Sequence, residues 1–182
     1  MTEEDKNSKK ENPRRELIPI KGRMWFIGFS LSKIPKKLRG EAAENIISVY
    51  MNTLGMRVGP RKKKCQDRIA IDPATKNEVP VQVKSISTEK HGYEIRVDEA
   101  PLNEFEGYYL VLLEHEPEDI ILHIESGEVQ RRIRAEDKKT PGKARHHKDY
   151  RSLYIPANLK GFEQYVSPDE FKEAVFGKRK GN

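Results

Sequence analysis

Cys65-Gln66-Asp67-Arg68-Ile69-Ala70-Ile71-Asp72, then Pro73-Ala74-Thr75-Lys76-Asn77-Glu78, then Val79-Pro80-Val81-Gln82-Val83-Lys84-Ser85-Ile86-Ser87: this stretch decides the fold. Its two ends alternate apolar and polar residues, the period of a half-buried strand. Residues 73–77 are turn chemistry. The spacing therefore predicts two antiparallel strands over 65–72 and 79–87, joined by a hairpin. Residues 93–97, after His91-Gly92, predict a third antiparallel strand in the same series.

Upstream, Leu38, Ala42, Ala43, Ile46, Ile47, Tyr50 and Leu54 recur at steps of three and four. That is one face of a helix. It opens near Pro35, which suits a first-turn position, and stops at Gly55. Residues 56–58 form a short strand candidate, cut by Gly59-Pro60. Downstream, 101–106 predicts one helical turn, and 108–114 and 119–124 predict two more strands around Pro117. Residues 131–148 show no apolar period and read as a mobile basic loop. A late strand over 153–155 and a helix capped by Ser167, with Pro168 in its first turn, complete the reading.

The chain has 182 residues, 35% hydrophobic and 35% charged. That composition predicts one domain with charged extensions. The expected layout is a charged, disordered tail at 1–16, an arm or strand at 17–35, a single α/β domain at 36–176 with a basic loop at 131–151, and a basic tail at 177–182. The longest apolar run is six residues, 108–113, against the roughly 20 that a membrane helix needs. The first ten residues lack the apolar core of a secretion signal. One cysteine, Cys65, excludes a disulfide within the chain. A soluble, intracellular and cytoplasmic protein is expected.

Net charge is +6, and it is unevenly placed. Arg57, Arg61, Lys62, Lys63 and Lys64 stand together without an acid. Residues 89–128 carry twelve acids against two cations. Residues 131–160 carry ten cations against three acids, among them Arg131, Arg132, Arg134, Lys143, Arg145, Lys148 and Arg151. Two basic blocks around one core suit a phosphate backbone, because each neutralised phosphate releases a counterion. The same runs also suit plain solvated surface.

Strand alternation puts Gln82 and Lys84 on one face, and Asp67 with Cys65, Ile69 and Ile71 on one face. Antiparallel pairing then brings Asp67 beside Gln82 or Lys84. A carboxylate, an amide oxygen and an ammonium on one surface have a chemical use. Magnesium takes oxygen ligands and keeps several waters, so Asp67 and Gln82 make a partial site. The ion polarises a phosphoryl oxygen and activates water, and a neighbouring lysine orients that water. On the helix just before lie Glu41 and Glu44, the latter at the edge of the apolar stripe, and a glutamate there can add an outer-sphere or direct ligand.

In sequence, Gly40-Glu41-Ala42-Ala43-Glu44, Gly55-Met56-Arg57-Val58, Asp67-Arg68-Ile69 and Val81-Gln82-Val83-Lys84-Ser85 follow one another. This order resembles the PD-(D/E)XK nuclease superfamily, home of restriction endonucleases and archaeal Holliday-junction resolvases, in its Gln-x-Lys form. The resemblance covers about residues 36–125. It implies an α/β, restriction endonuclease-like fold: a mixed β-sheet core flanked by helices. It also implies a magnesium (or manganese) nuclease site with Asp67, Gln82 and Glu44 as ligands and Lys84 as the catalytic lysine. Gln82 stands where a carboxylate is usual, which removes one negative charge from the site. The implied function is a DNA endonuclease, a hydrolase of phosphodiester bonds; cutting two strands needs two sites, which points to a homodimer.

Other readings of the same residues stand beside this one. Asp72 competes with Asp67, although Pro73 after it suggests a turn. Lys84 also suits an edge-strand surface, and Glu44 an early-helix position favoured by the dipole. His146-His147 suggest a metal site but suit a solvent- or phosphate-facing loop better, Tyr150 and Arg151 suit stacking on or gripping nucleic acid only weakly, Trp25, Phe26 and Phe29 suit packing, and Cys65 suits a strand. A nuclease fold that binds DNA or RNA without cutting is the alternative function; a basic surface that docks an acidic protein is a third.

Overall fold

The computed structural model describes residues 34–86, 92–114, 119–139 and 150–177. The expected tail, the aromatic arm at 25–29, His146, His147, Lys143, Arg145 and Lys148 lie outside the described residues.

The chain opens on helix α1, Lys36–Thr53. Ala43, Ile47, Tyr50 and Met51 form its buried stripe. Leu38, expected on that stripe, is 49% exposed. Gly55 ends the helix at φ 87°, a conformation favouring glycine, and Met56 N–H returns to the Met51 carbonyl at 3.1 Å.

Strands β1 (Arg57–Pro60), β2 (Arg68–Ile71) and β3 (Glu78–Ile86) follow. They pair antiparallel in order. Gly59 and Pro60 belong to β1 rather than ending it; on an edge strand proline's missing N–H costs little. β2 is shorter than the 65–72 expected. Asp72 is a turn residue, accepting from Ala74 N–H at 2.9 Å and from the Thr75 hydroxyl at 2.5 Å.

Strand β4, Gly92–Asp98, departs from the sequence expectation. It does not extend the antiparallel series. It pairs with β7, Tyr150–Pro156, in a separate two-stranded sheet. The place beside β3 goes to β5, Tyr108–Leu113, which runs parallel to it. The reason is burial. Leu110 and Val111 are both 0% exposed, so β5 is covered on both faces and belongs inside a sheet. β6, Ile120–Glu125, closes the other side antiparallel. The main sheet is thus mixed and five-stranded, in the order β1-β2-β3-β5-β6. The α/β class, a mixed sheet flanked by helices, is as expected.

Three more helices complete the described fold: α2 (Glu99–Glu104), α3 (Ser126–Lys139) and α4 (Asp169–Phe176), with a 3-10 turn at Glu163–Val166 before the last. Helix α3 overturns the basic-loop expectation over 131–139. Val129 and Ile133, four apart, bury one face, and six arginines and acids around them hide so short a period. In α4, Pro168 and not Ser167 holds the cap position, although Ser167 Oγ still accepts from Asp169 N–H at 3.3 Å.

The main sheet buries both faces. On one, Ala43, Ile47 and Met51 of α1 and Phe171 and Val175 of α4 pack on Val81, Val83, Leu110 and Leu112. On the other, β4, β7, α2 and α3 pack on Tyr109, Val111, Leu122 and Ile124. Each fully buried aliphatic side chain is worth roughly 1.5–3 kcal/mol. No helix among the described residues is long and apolar enough to cross a membrane.

Candidate active site

Asp67 stands one residue before β2 and is half-buried. Its own N–H donates to the Val81 carbonyl at 3.0 Å, and its Oδ2 accepts from Val83 N–H at 2.8 Å. The two bonds straddle Gln82. Where the β2–β3 ladder stops, the side chain of Asp67 continues it. The carboxylate is therefore bonded to the backbone of the residue just before Lys84 in β3.

Gln82 and Lys84 share a face of β3 by alternation. Their partners across the parallel pairing are Tyr109 and Val111, which belong to the core away from α1. Gln82 is 7% exposed, and among the described residues its Oε1 has no hydrogen-bond partner; nor has the hydroxyl of Tyr109, its register partner on β5. Such orphaned atoms each cost about 1–3 kcal/mol. Burial, followed by the charges of Cys65, Asp98 and Asp67, pushes the Tyr109 hydroxyl well above its ordinary pKa, so it stays protonated. Lys84 is half-buried.

Glu44 reaches the site from the opposite side of the sheet. It lies on α1, and its Oε2 accepts from Arg68 Nη1 at 2.5 Å. The same Nη1 donates to the Asp67 carbonyl at 2.9 Å, and Arg68 Nε donates to Ser48 Oγ at 3.2 Å. Ser48 is one turn along from Glu44 and donates to its backbone carbonyl at 2.7 Å. Glu44, Asp67, Arg61 and Arg68 line a cleft of about 500 Å³ with Val58, Gly59 and Pro60. Gln82 and Lys84 are not among its lining residues. Asp67 is thus the hinge of the arrangement: its backbone clamp joins it to the Gln82–Lys84 strand, and its cleft joins it to Glu44.

Sequence reasoning gave Arg68 and Tyr109 no role. For Arg68 a signal existed. It alternates with Ala70, and Ala70 faces α1, so Arg68 must face α1 and Glu44. Tyr109 carried no such signal, since only the parallel pairing brings it to Gln82.

Of the basic residues, Arg57, Arg61, Lys62, Lys63 and Lys64 are exposed on β1 and the loop after it, and Lys62 pairs with Glu78. Arg131 and Arg132 do not belong to a free loop. Arg131 grips Glu128 with two bonds of 2.6 Å. Arg132 binds Glu128 at 2.6 Å and the Gly161 carbonyl at 2.8 Å, and its guanidinium lies 4.2 Å over the Phe162 ring. The Arg131 bonds, helped by the Tyr165 hydroxyl and Arg132, pull the Glu128 carboxyl down to about 2. Arg134 is exposed on α3, and Arg151 is half-buried on β7.

The cleft brings two carboxylates together, Glu44 and Asp67, oxygen donors of the kind that magnesium prefers, while the Gln82 amide lies outside its lining. Gln82 Oε1, buried and without a partner among the described residues, fits a ligand role. Among the described residues no three His, Cys, Asp or Glu side chains cluster as a metal group. In comparisons with known proteins, the chain matches no protein-family model and no curated protein.

Proposed function

We propose that this chain is a metal-dependent DNA endonuclease, a PD-(D/E)XK-like enzyme of the Gln-x-Lys form. The observation that carries the reading is the clamp of Asp67 on the backbone of Val81 and Val83, which fixes a carboxylate against the strand that carries Gln82 and Lys84. Asp67 and Gln82 would hold magnesium or manganese, with Glu44 as a further ligand. The bound ion supplies a Lewis acid at the phosphoryl oxygen. Lys84 orients the attacking water and offsets charge that develops on the phosphate. Arg57, Arg61, Lys62, Lys63 and Lys64 grip the backbone, and a homodimer supplies the second cut. Such an enzyme works inside the cell, where DNA is.

The runner-up is a nuclease-like module that binds DNA or RNA without cutting. One observation favours it: Glu44 is already paired with Arg68, and Gln82 is neutral, so little free negative charge remains for an ion. Incubating the protein with plasmid and branched DNA, in magnesium and in manganese, separates the two. The enzyme reading expects cleavage that falls on the order of 10²–10³-fold in Lys84→Ala, with DNA binding retained. Binding without any cleavage by the unaltered protein sinks the enzyme and supports the module.

A further inference from the structure

Arg68 is a cation already resident in the cleft. Three acceptors from three directions fix it: Glu44 Oε2, the Asp67 carbonyl and Ser48 Oγ. Its side chain is 24% exposed and that of Glu44 is 28% exposed, so both charges are largely withdrawn from water. In such a setting neither stays unpaired at low cost. Arg61, the other cation lining the same cleft, is exposed and makes no hydrogen bond to Glu44.

We infer that Arg68 is the built-in counter-ion of Glu44, that a divalent cation entering beside Asp67 competes with it for that carboxylate, and that the guanidinium so released turns to a backbone phosphate of the nucleic acid. This rests on the metal site of the proposed function. The chemistry is an exchange of partners. The carboxylate gives up an arginine and gains a dication, while the arginine gives up a carboxylate oxygen and gains a phosphate oxygen, which suits its fork as well. Metal and phosphate then favour each other's binding, because each takes a partner that the other sets free. The ion pair keeps the cleft neutral and ordered until both arrive.

Manganese binding to the full-length protein, followed by loss of the free-ion electron paramagnetic resonance signal, tests this without any cleavage. Arg68→Gln removes the competitor and is expected to bind manganese at least about fivefold more tightly than the unaltered chain. Ser48→Ala, which only loosens Nε, moves the same way by less and guards against a fold defect in the first variant. Arg61→Gln removes an equal charge from the rim of the same cleft without touching Glu44, and being exposed and unpaired with that carboxylate it shifts affinity by less than half as much as Arg68→Gln. Asp67→Asn abolishes binding. Manganese affinity unchanged or weakened in Arg68→Gln, with Asp67→Asn still abolishing it, overturns the exchange and leaves the metal site standing. An equal gain in Arg61→Gln also overturns it, because general charge then explains the effect. Binding that Asp67→Asn leaves intact, or no binding by any variant, overturns the metal site itself.

Discussion

Two buried polar side chains on the main sheet have opposite surroundings. His123, on β6, is 2% exposed and uses both ring nitrogens. Nδ1 meets the Tyr165 carbonyl at 3.1 Å, so it carries the proton; Nε2 then accepts from the Tyr50 hydroxyl at 2.8 Å. The ring stacks on Phe171 at 5.8 Å. That single side chain ties α1, the sheet, the 3-10 turn and α4 together. Gln82, two strands away on β3, is also buried, but among the described residues its Oε1 has no partner. The pair teaches how to separate structure from function. A satisfied polar group in a core is a fastener, and its removal costs stability. An unsatisfied one is a stability cost that folding alone does not explain.

Substitution should expose that contrast. The largest expected effect is His123→Ala, which opens a cavity and strands the Tyr50 hydroxyl. It should cost about 3–4 kcal/mol, read from urea denaturation. A loss below about 1 kcal/mol would deny the fastener role.

Acid should act on the same residue. Burial, as the main cause, lowers the His123 pKa to about 4 from an ordinary 6.5. Between those values the unfolded chain binds more protons than the folded one. Stability from this group is therefore complete above about pH 6.5 and is lost as pH falls toward 4, by roughly 3 kcal/mol in total. Melting temperature against pH measures it, and in His123→Ala the slope across that window should flatten.

Gln82→Met keeps the shape and removes the orphaned oxygen. Stability should hold or rise by about 1 kcal/mol while manganese binding weakens, a reversal of the His123 pattern. Equal loss of both would make Gln82 another fastener. The smallest effect is expected from Tyr109→Phe, within about 1 kcal/mol of the unaltered protein in thermal melts, since its hydroxyl makes no bond to any described residue.

Local chemistry in the sequence was enough for much of this. The 3.6 period over α1, the alternation over β3 and the turn at Asp72 fixed those elements, because each depends on neighbours within a few residues. What escaped depends on distant partners. Glycine-led β4 alternates like a third hairpin strand, yet its partner, β7, lies more than fifty residues on. Crowded charge masked the Val129–Ile133 stripe of α3. The clamp of Asp67 on β3 was legible as a juxtaposition of strands. The Glu44–Arg68 pair was half legible: alternation puts Arg68 on the face of Ala70, but that this face of β2 meets α1 is set by the fold.

Gly107 shows how tightly that long-range order is set. It enters β5 at φ 156°, and a Cβ there would lie 2.3 Å from the Pro80 carbonyl oxygen of β3. Backbone so close leaves only glycine at the point where the parallel pairing begins.

The most direct measurement is magnesium-dependent nicking of supercoiled plasmid by the unaltered protein and by Asp67→Asn, compared at matched thermal stability. Asparagine keeps an oxygen to accept from Val83 N–H, so the clamp survives and only the charge is lost. The account predicts nicking by the first and a loss on the order of 10²-fold or more in the second. Equal nicking by both, or none by either, would contradict it.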